Sequence, residues 1–381
     1  MFKVIVFILL FFTTIYYTLK DEVYRDNEIV FSSSLSKTGI MNQWGKSVES
    51  GVLAYFNYVN DNNILKNKTM KFISYDDKYE PALTLENFEK LIHHHNTFGF
   101  LGFVGTPTVK NILPLLEENQ MPFIAPFTGA EFLRQKHLNN IINIRSSYKD
   151  EIEKLVDYLY HKKHLDKFAV FYQNDDYGEE GYISLIKALN KRNLSLIAEG
   201  TYKRNTLSLS HAFDEIKEVK PEVIVLVGAY KANALFIQKA KQHPNFKETI
   251  FCVISFGDAN AVVQELQGET DNIIFSQVVP SYNDNSIGVI KEYALLMKRY
   301  YPNEPLGFIS LESFIAAKTV VEAIKSIEGN LTQRKFLNAI KQLPNDFLEG
   351  IPTHFENSQL LNDVYLFEYK NSQFVEIAYE H

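Results

Sequence analysis

Two threonines, Thr106 and Thr128, each follow a short apolar run and precede residues that suit a helix start. Their hydroxyls and the free N–H groups of such starts favour a small anion, for example a carboxylate. In the first unit, Phe98 to Val104 reads as a buried strand, Gly105 turns the chain, Thr106 caps a helix and Pro107 fits its first turn. In the second, Pro122 to Pro126 is a brief apolar run, and Thr128 with Glu131 three residues on matches a capping box. Aromatic residues recur at comparable places. Trp44, the single tryptophan, lies in the polar segment Lys37 to Lys46 after the first expected strand, and Tyr177, Tyr230 and Phe256 each follow or end another apolar run. Any one of them suits packing as well as contact with a ligand, but four at strand ends can wall a small-molecule site built from rings and a few placed polar groups.

Other chemistry finds less support. The chain has no G-x-S-x-G elbow, G-x-x-x-x-G-K-[ST] phosphate loop, H-E-x-x-H helix or G-x-G-x-x-G fingerprint. No catalytic residue and no cofactor is expected, and an α/β chain of this kind is better suited to holding a ligand than to transforming one. His93, His94 and His95 cannot all face one ion on a helix, and His161 with His164 lacks a completing Cys or paired Glu, so a solvated helix end is the simpler reading and no metal is expected. Asp76–Asp77 and Asp175–Asp176 follow apolar runs and fit turn and capping chemistry better than a general acid/base pair.

The elements that must position these residues alternate along the chain. Strands are expected over Ile29–Ser33, Met70–Tyr75, Phe98–Val104, Pro122–Ala125, Phe168–Tyr172, Leu194–Ala198, Val223–Val227, Ile250–Ser255 and Ile273–Val279. Between them, Gly45–Asn60 places Val48, Val52, Leu53, Phe56 and Val59 on one helical face, and Asp150–His161 repeats the pattern with Ile152, Leu155, Val156 and Leu159. Regular alternation gives a doubly wound α/β fold with parallel sheets. The pattern restarts near Ile144–Asp150, so two lobes are expected instead of one large sheet. Beyond Val279, the turn-rich Pro280–Asn285 leads to helices over Ile287–Tyr300 and Leu311–Ile327, and Asp363–Tyr369 with Gln373–Ala378 reads as a hairpin around Lys370, Asn371 and Ser372.

Composition limits the partners. The 381 residues are 46% hydrophobic and 22% charged with a formal charge of −7, which leaves no electrostatic footprint for nucleic acid. Cys252, the only cysteine, lies in an apolar run and rules out disulfides within the chain and Cys-ligated zinc. At the N-terminus Lys3 precedes the apolar run Val4–Leu19, which is followed by charged Lys20, Asp21, Glu22, Arg25 and Asp26. Its length suits a secretory signal better than a spanning helix, although no small-residue cleavage pattern precedes Asp21. Residues 1–22 are therefore read as a signal peptide or an uncleaved N-terminal anchor, with the body periplasmic or otherwise extracytoplasmic.

The chain resembles the periplasmic solute-binding proteins of the branched-chain amino acid (Leu/Ile/Val-binding) type, with the type I periplasmic-binding fold. The resemblance runs through S-K-T-G and N-Q-W-G (Ser36–Gly39, Asn42–Gly45), Y-D-D-K-Y-E-P (Tyr75–Pro81), G-T-P-T (Gly105–Thr108), P-F-T-G-A-E-F-L-R (Pro126–Arg134), Y-Q-N-D-D-Y-G (Tyr172–Gly178) and S-L-E-S-F (Ser310–Phe314). It implies two doubly wound parallel-sheet lobes joined by a three-strand hinge, residues 27–147 plus 280–350 forming one lobe and 148–279 plus 351–381 the other. It also implies a ligand cleft between the lobes, with Thr106, Phe127 and Thr128 at the ligand carboxylate and Trp44, Tyr177 and Tyr230 as aromatic contacts. The loop that carries an acid for the ligand amine in amino acid binders reads Ser255-Phe256-Gly257-Asp258; the aligned position is Phe256, and Asp258 is the acid that can stand in. The function implied is delivery of a small carboxylate-bearing or amino-acid-like ligand to an ABC transporter permease. A ligand-binding sensory subunit that reports to a membrane kinase or chemoreceptor shares the fold and is the alternative; membrane contact arises only through an N-terminal anchor.

Overall fold

A computed structural model describes residues 22–379, the His94 side chain excepted. The leader expected over 1–22 lies, apart from Glu22, outside the described residues. The first lobe is a five-stranded parallel sheet in the order β2-β1-β3-β4-β5, with β1 Glu28–Leu35, β2 Thr69–Asp76, β3 Gly99–Leu101, β4 Phe123–Ile124 and β5 Ile141–Ile142. Helices α1 (Asn42–Asp61), α2 (Pro81–His94) and α3 (Thr106–Asn119) connect its strands. The chain then crosses into the second lobe at α4 (Tyr148–His161), whose first turn is held by a capping box between Ser147 and Asp150.

The second sheet has seven strands in the order β12-β11-β10-β9-β8-β6-β7. Its parallel part is β6 (Phe168–Gln173), β7 (Ala198–Tyr202), β8 (Val223–Val227), β9 (Ile250–Val253) and β10 (Ile273–Gln277). β8 is VIVLV and entirely buried, as expected for a parallel strand covered on both faces. Helices α5 (Asp176–Asn190), α6 (Ser210–Glu218), α7 (Tyr230–Lys241) and α8 (Ala259–Glu265) lie between these strands. The chain returns to the first lobe with α9 (Gly288–Tyr300) and α10 (Phe308–Lys325), continues through α11 (Gln333–Lys341), and crosses a third time to the antiparallel β11 (Tyr365–Lys370) and β12 (Gln373–Glu376). Helix α10 packs so closely on α1 that a Cβ on Gly51 would lie 2.3 Å from the Ser310 carbonyl oxygen, which only glycine allows.

The first and third crossings are tied together. Leu360 N–H donates to the Asn143 carbonyl, Leu361 N–H to that of Ile144, and the Ser146 hydroxyl to that of Asp363. Among the described residues no helix is long and apolar enough to cross a membrane.

Three local expectations are corrected. The strand expected at Leu194–Ala198 is shifted to Ala198–Tyr202, where pairing with β6 begins; Leu194 and Leu196 instead pack against the core as half-buried residues of the approach. Thr106 is not the cap of its helix but its first residue, and Gly105 takes the cap position at φ 104°, with Pro107 in the first turn as read. Thr128 forms no capping box with Glu131; the second unit yields only a four-residue 3₁₀ turn, Glu131–Arg134, preceded by Ala130.

Candidate functional site

The carboxyl ends of the parallel strands of both sheets face one another, and the residues that follow them meet in a buried cluster. On the first-lobe side the Thr106 and Thr128 hydroxyls are 2.7 Å apart, and Tyr148 Oη lies 3.4 Å from Thr106 Oγ1. Thr128 Oγ1 accepts from Ala130 N–H, which explains why it does not cap the turn beyond. Trp44 lies edge-on to Phe127 at 5.5 Å between ring centroids. From the second lobe, Phe256 reaches across to Trp44 at 4.8 Å and contacts Tyr177 at 4.7 Å, and Tyr177 in turn meets Tyr148 at 5.4 Å. Trp44, Thr106, Phe127, Thr128, Tyr148, Tyr177 and Phe256 are all fully buried. Six of the eight residues expected at the site from sequence therefore come together.

The other two lie elsewhere. Tyr230 stands at the rim, where its hydroxyl donates to Asn42 Oδ1 at 3.0 Å beside a surface groove of about 340 Å³. Asp258 caps α8 from a left-handed backbone position (φ 54°), its Oδ1 accepting from Ala261 N–H at 3.1 Å. Burial pushes its carboxyl up to about 6, and burial does the same to Asp77 against hydrogen bonds from Ser34, Tyr79 N–H and Thr84. A carboxyl with a raised folded-state pKa adds stability that is complete below the unfolded value near 4 and is lost as pH rises through about 6. Asp258→Asn keeps a cap acceptor and tolerates the left-handed backbone. The variant should therefore match or exceed the parent in stability at pH 7 and lose less between about pH 4 and 7. Urea unfolding at both pH values measures this, and an unchanged difference would show that Asp258 carries no such penalty.

Several residues of the cluster were not singled out from sequence. Tyr79, fully buried, stacks toward Phe256 at 6.0 Å and accepts from Gln173 Nε2 of the opposite lobe at 3.2 Å. Lys78 and Tyr79 both have positive φ, 54° and 60°, in a loop pinned by Asp76 and Asp77. Two consecutive non-glycine residues in that region are costly and persist only where surrounding contacts fix them. Arg145, on the first crossing, makes a bidentate pair with Glu312 of α10, both bonds 2.9 Å, and its guanidinium carbon is 5.9 Å from the Trp44 and Phe127 ring centres. Burial opposes its charge, but Glu312 outweighs that and raises its pKa. Glu151 of α4 accepts from Ser255 N–H and Oγ and from Ser276 Oγ, and so fixes the loop that presents Phe256. Burial pushes its pKa up, opposed by Arg145 and these hydrogen bonds.

Among the described residues ten buried polar side-chain atoms have no hydrogen-bond partner, and three belong to this cluster: Trp44 Nε1, Tyr177 Oη and Arg145 Nη1. Buried polar groups are nearly always satisfied, and here three unsatisfied ones lie within one cluster. Around the rim the lobes are clasped by Lys110 with Asp176, Arg204 with Glu80 at 3.1 Å, Asn205 with Glu80 at 2.7 Å, and Glu131 N–H with Glu180 at 3.1 Å. The two half-exposed ion pairs among these contacts each contribute at most about 1 kcal/mol. They complete a closure whose centre is aromatic.

Comparison with known proteins places this geometry. A solved structure from Rhodopirellula baltica SH 1, described as a possible leucine/isoleucine/valine-binding protein, superposes with a TM-score of 0.87 at 29% identity, covering 92% of this chain and 96% of that one. A branched-chain amino acid ABC transporter structure from Thermus thermophilus with bound valine gives 0.82 at 16% identity (93% and 96% covered), and a fatty acid ABC transporter substrate-binding protein from Thermomonospora curvata gives 0.83 at 18% (94% and 93%). These last two share the fold. The Leu/Ile/Val-binding protein homolog 7 of Brucella abortus is 21% identical over 254 residues, an alignment spanning 63% of each chain. Residues 31–373, nearly the whole described chain, match the family of periplasmic binding proteins, and the chain belongs to that family.

Proposed function

We propose that this protein is an exported solute-binding protein of an ABC importer, which takes up a small carboxylate-bearing ligand between its lobes and closes on it by hinge motion. The observation that supports this most directly is the buried meeting of strand ends from both sheets, where the Thr106–Thr128 hydroxyl pair faces rings and unpartnered donors. A ligand held there touches both lobes, so its binding energy goes into the closed arrangement. The permease would then read the closed shape. Thr106, Phe127 and Thr128 hold the carboxylate in this reading, with Trp44, Tyr79, Tyr177 and Phe256 around the body of the ligand. Catalysis has no part in it.

A thermal-shift screen over short carboxylates, aromatic acids, amides and amino acids tests the proposal. A true ligand at 100 times its Kd stabilises the fold by about 2.7 kcal/mol and raises the midpoint. Thr106→Val removes one hydroxyl at nearly constant volume and should weaken the responding ligand by about 1–2 kcal/mol, roughly tenfold in Kd. No response from any compound would refute the function, and a normal response in Thr106→Val would move the carboxylate away from the threonine pair.

A further inference from the structure

The hydrogen-bonding character of the cluster is one-sided. Trp44 Nε1 and Arg145 Nη1 can only donate, and both are buried without a partner. The Tyr177 hydroxyl is likewise free, and burial raises its pKa so that it keeps its proton. With the Thr106, Thr128 and Tyr148 hydroxyls beside them, these groups call for a ligand rich in acceptors.

No free carboxylate awaits a cation; the unpartnered acceptor of Asn233, whose side chain lies beside Gly257, is a neutral amide oxygen, Oδ1. Among the described residues the neighbouring carboxylates are already engaged. Glu312 is spent on Arg145. Glu151 takes three hydrogen bonds from Ser255 and Ser276. Asp175 is held by Tyr177 N–H, Gln173 and Arg204, and Asp258 is turned into the cap of α8. The wall that the second lobe offers is Phe256 and Tyr177, an uncharged surface. An ammonium group closed in here would be stripped of water and given rings in return. The rings are poor compensation, because the Arg145 guanidinium already lies 5.9 Å from the centres of Trp44 and Phe127.

We propose that the ligand of this cleft is an amine-free carboxylate with an apolar body: its oxygens meet the threonine hydroxyls, Trp44 Nε1 and Arg145 Nη1, and its carbon skeleton lies against Phe256, Tyr177 and Tyr79. This deepens the solute-binding function proposed above and rests on it. The position of Phe256, fixed through Ser255 by Glu151, is then what selects against amino acids.

Matched pairs that differ in the amine decide the matter. 4-Methylpentanoate against L-leucine and 3-phenylpropanoate against L-phenylalanine are titrated into the wild-type protein by calorimetry, with the emission of Trp44, the sole tryptophan, as a second readout. The amine-free acid of at least one pair is expected to bind about tenfold or more tightly than its amino acid and to change Trp44 emission. An amino acid that binds as well as or better than its partner overturns the inference and leaves the solute-binding function standing, as does tighter binding of glycine betaine, whose quaternary ammonium suits an aromatic cage. Silence from every compound removes the carboxylate reading and this inference with it. Phe256→Glu places an acid on the uncharged wall and should shrink or reverse the preference; an unaltered ratio in the folded variant would mean that Phe256 does not face the ligand.

Discussion

Replacing Arg145 by methionine is expected to cost about 3–5 kcal/mol of stability, the penalty for leaving one partner of a buried ion pair uncompensated. The pair is almost fully enclosed, with side-chain exposures of 2% for Arg145 and 4% for Glu312. Both of its hydrogen bonds are 2.9 Å and lie in the fork geometry that a lysine could not reproduce. The Arg145 carbonyl also accepts from Arg134, which in turn reaches Gln359 on the third crossing, so the guanidinium sits at the junction of two crossings and α10. A carboxylate left alone at Glu312 would either take a proton or draw in water, and both outcomes loosen the packing of Trp44 and Phe127. Ligand affinity should fall along with stability, since the Arg145 Nη1 donor is gone and any charge left on Glu312 repels an anion. The double variant Arg145→Met with Glu312→Leu should recover much of the stability and little of the affinity, because a well-packed apolar pair can substitute for a buried ion pair but supplies no donor. Urea unfolding of the single and double variants separates these effects; equal stability of Arg145→Met and the parent would mean that the pair contributes nothing.

Much of the architecture was legible because parallel strands covered on both faces leave near-continuous apolar runs. β6, β8, β9 and β10 are of this kind, and β1 was visible through Ile29–Phe31 despite its three serines. The amphipathic stripe of α1 and the hairpin at β11 and β12, whose turn residues Asn371 and Ser372 take positive φ, were equally readable. The strand β7 was misplaced by a few residues since Leu194 and Leu196 resemble a strand and bury themselves as one would, while the pairing starts only at Ala198. At Thr128 the sequence spacing of a capping box was real, but tertiary contact overrode it: the hydroxyl is bound to Thr106 and Ala130 N–H.

The candidate site divides along similar lines. Hydroxyl and aromatic residues at strand ends are recognisable by position alone, which is why Trp44, Thr106, Phe127, Thr128, Tyr177 and Phe256 could be named. Arg145 could not, for a lone arginine after Ile141-Ile142-Asn143-Ile144 looks like the exposed end of a strand, and its partner lies 167 residues along the chain. Tyr79 was hidden by its backbone: nothing in Asp77-Lys78-Tyr79 announces two left-handed residues, and only those turn the ring inward. Asp258 is the opposite case. It is an acid in the expected loop, yet its own backbone conformation directs it to the cap of α8.

Gly105→Ala is expected to lower ligand affinity by about 100-fold while the protein still folds, because the added methyl group meets the closed cleft more than the first-lobe core. Two costs combine at this residue. Its backbone angles, φ 104° and ψ 149°, lie close to a region that only glycine occupies comfortably, which amounts to about 1–3 kcal/mol of strain for alanine. In addition the new Cβ would lie 2.3 Å from Cε2 of Tyr79 and 2.9 Å from Thr108 Oγ1. The Tyr79 ring cannot simply step aside. Its backbone is held by Asp77, the neighbouring Glu80 is clasped by Arg204 and Asn205 of the other lobe, and its far side faces Phe256. Displacement is therefore passed across the cleft, and the lobes must separate to absorb it. If so, Tyr79→Ala should partly rescue Gly105→Ala, with a coupling of about 0.5–3 kcal/mol in the double-mutant cycle for ligand affinity. The radius of gyration by small-angle scattering should show the single variant more open than the parent under saturating ligand, and the double variant closed again. Strict additivity of the two substitutions would mean that backbone strain at Gly105 acts alone, and that Tyr79 does not transmit closure between the lobes.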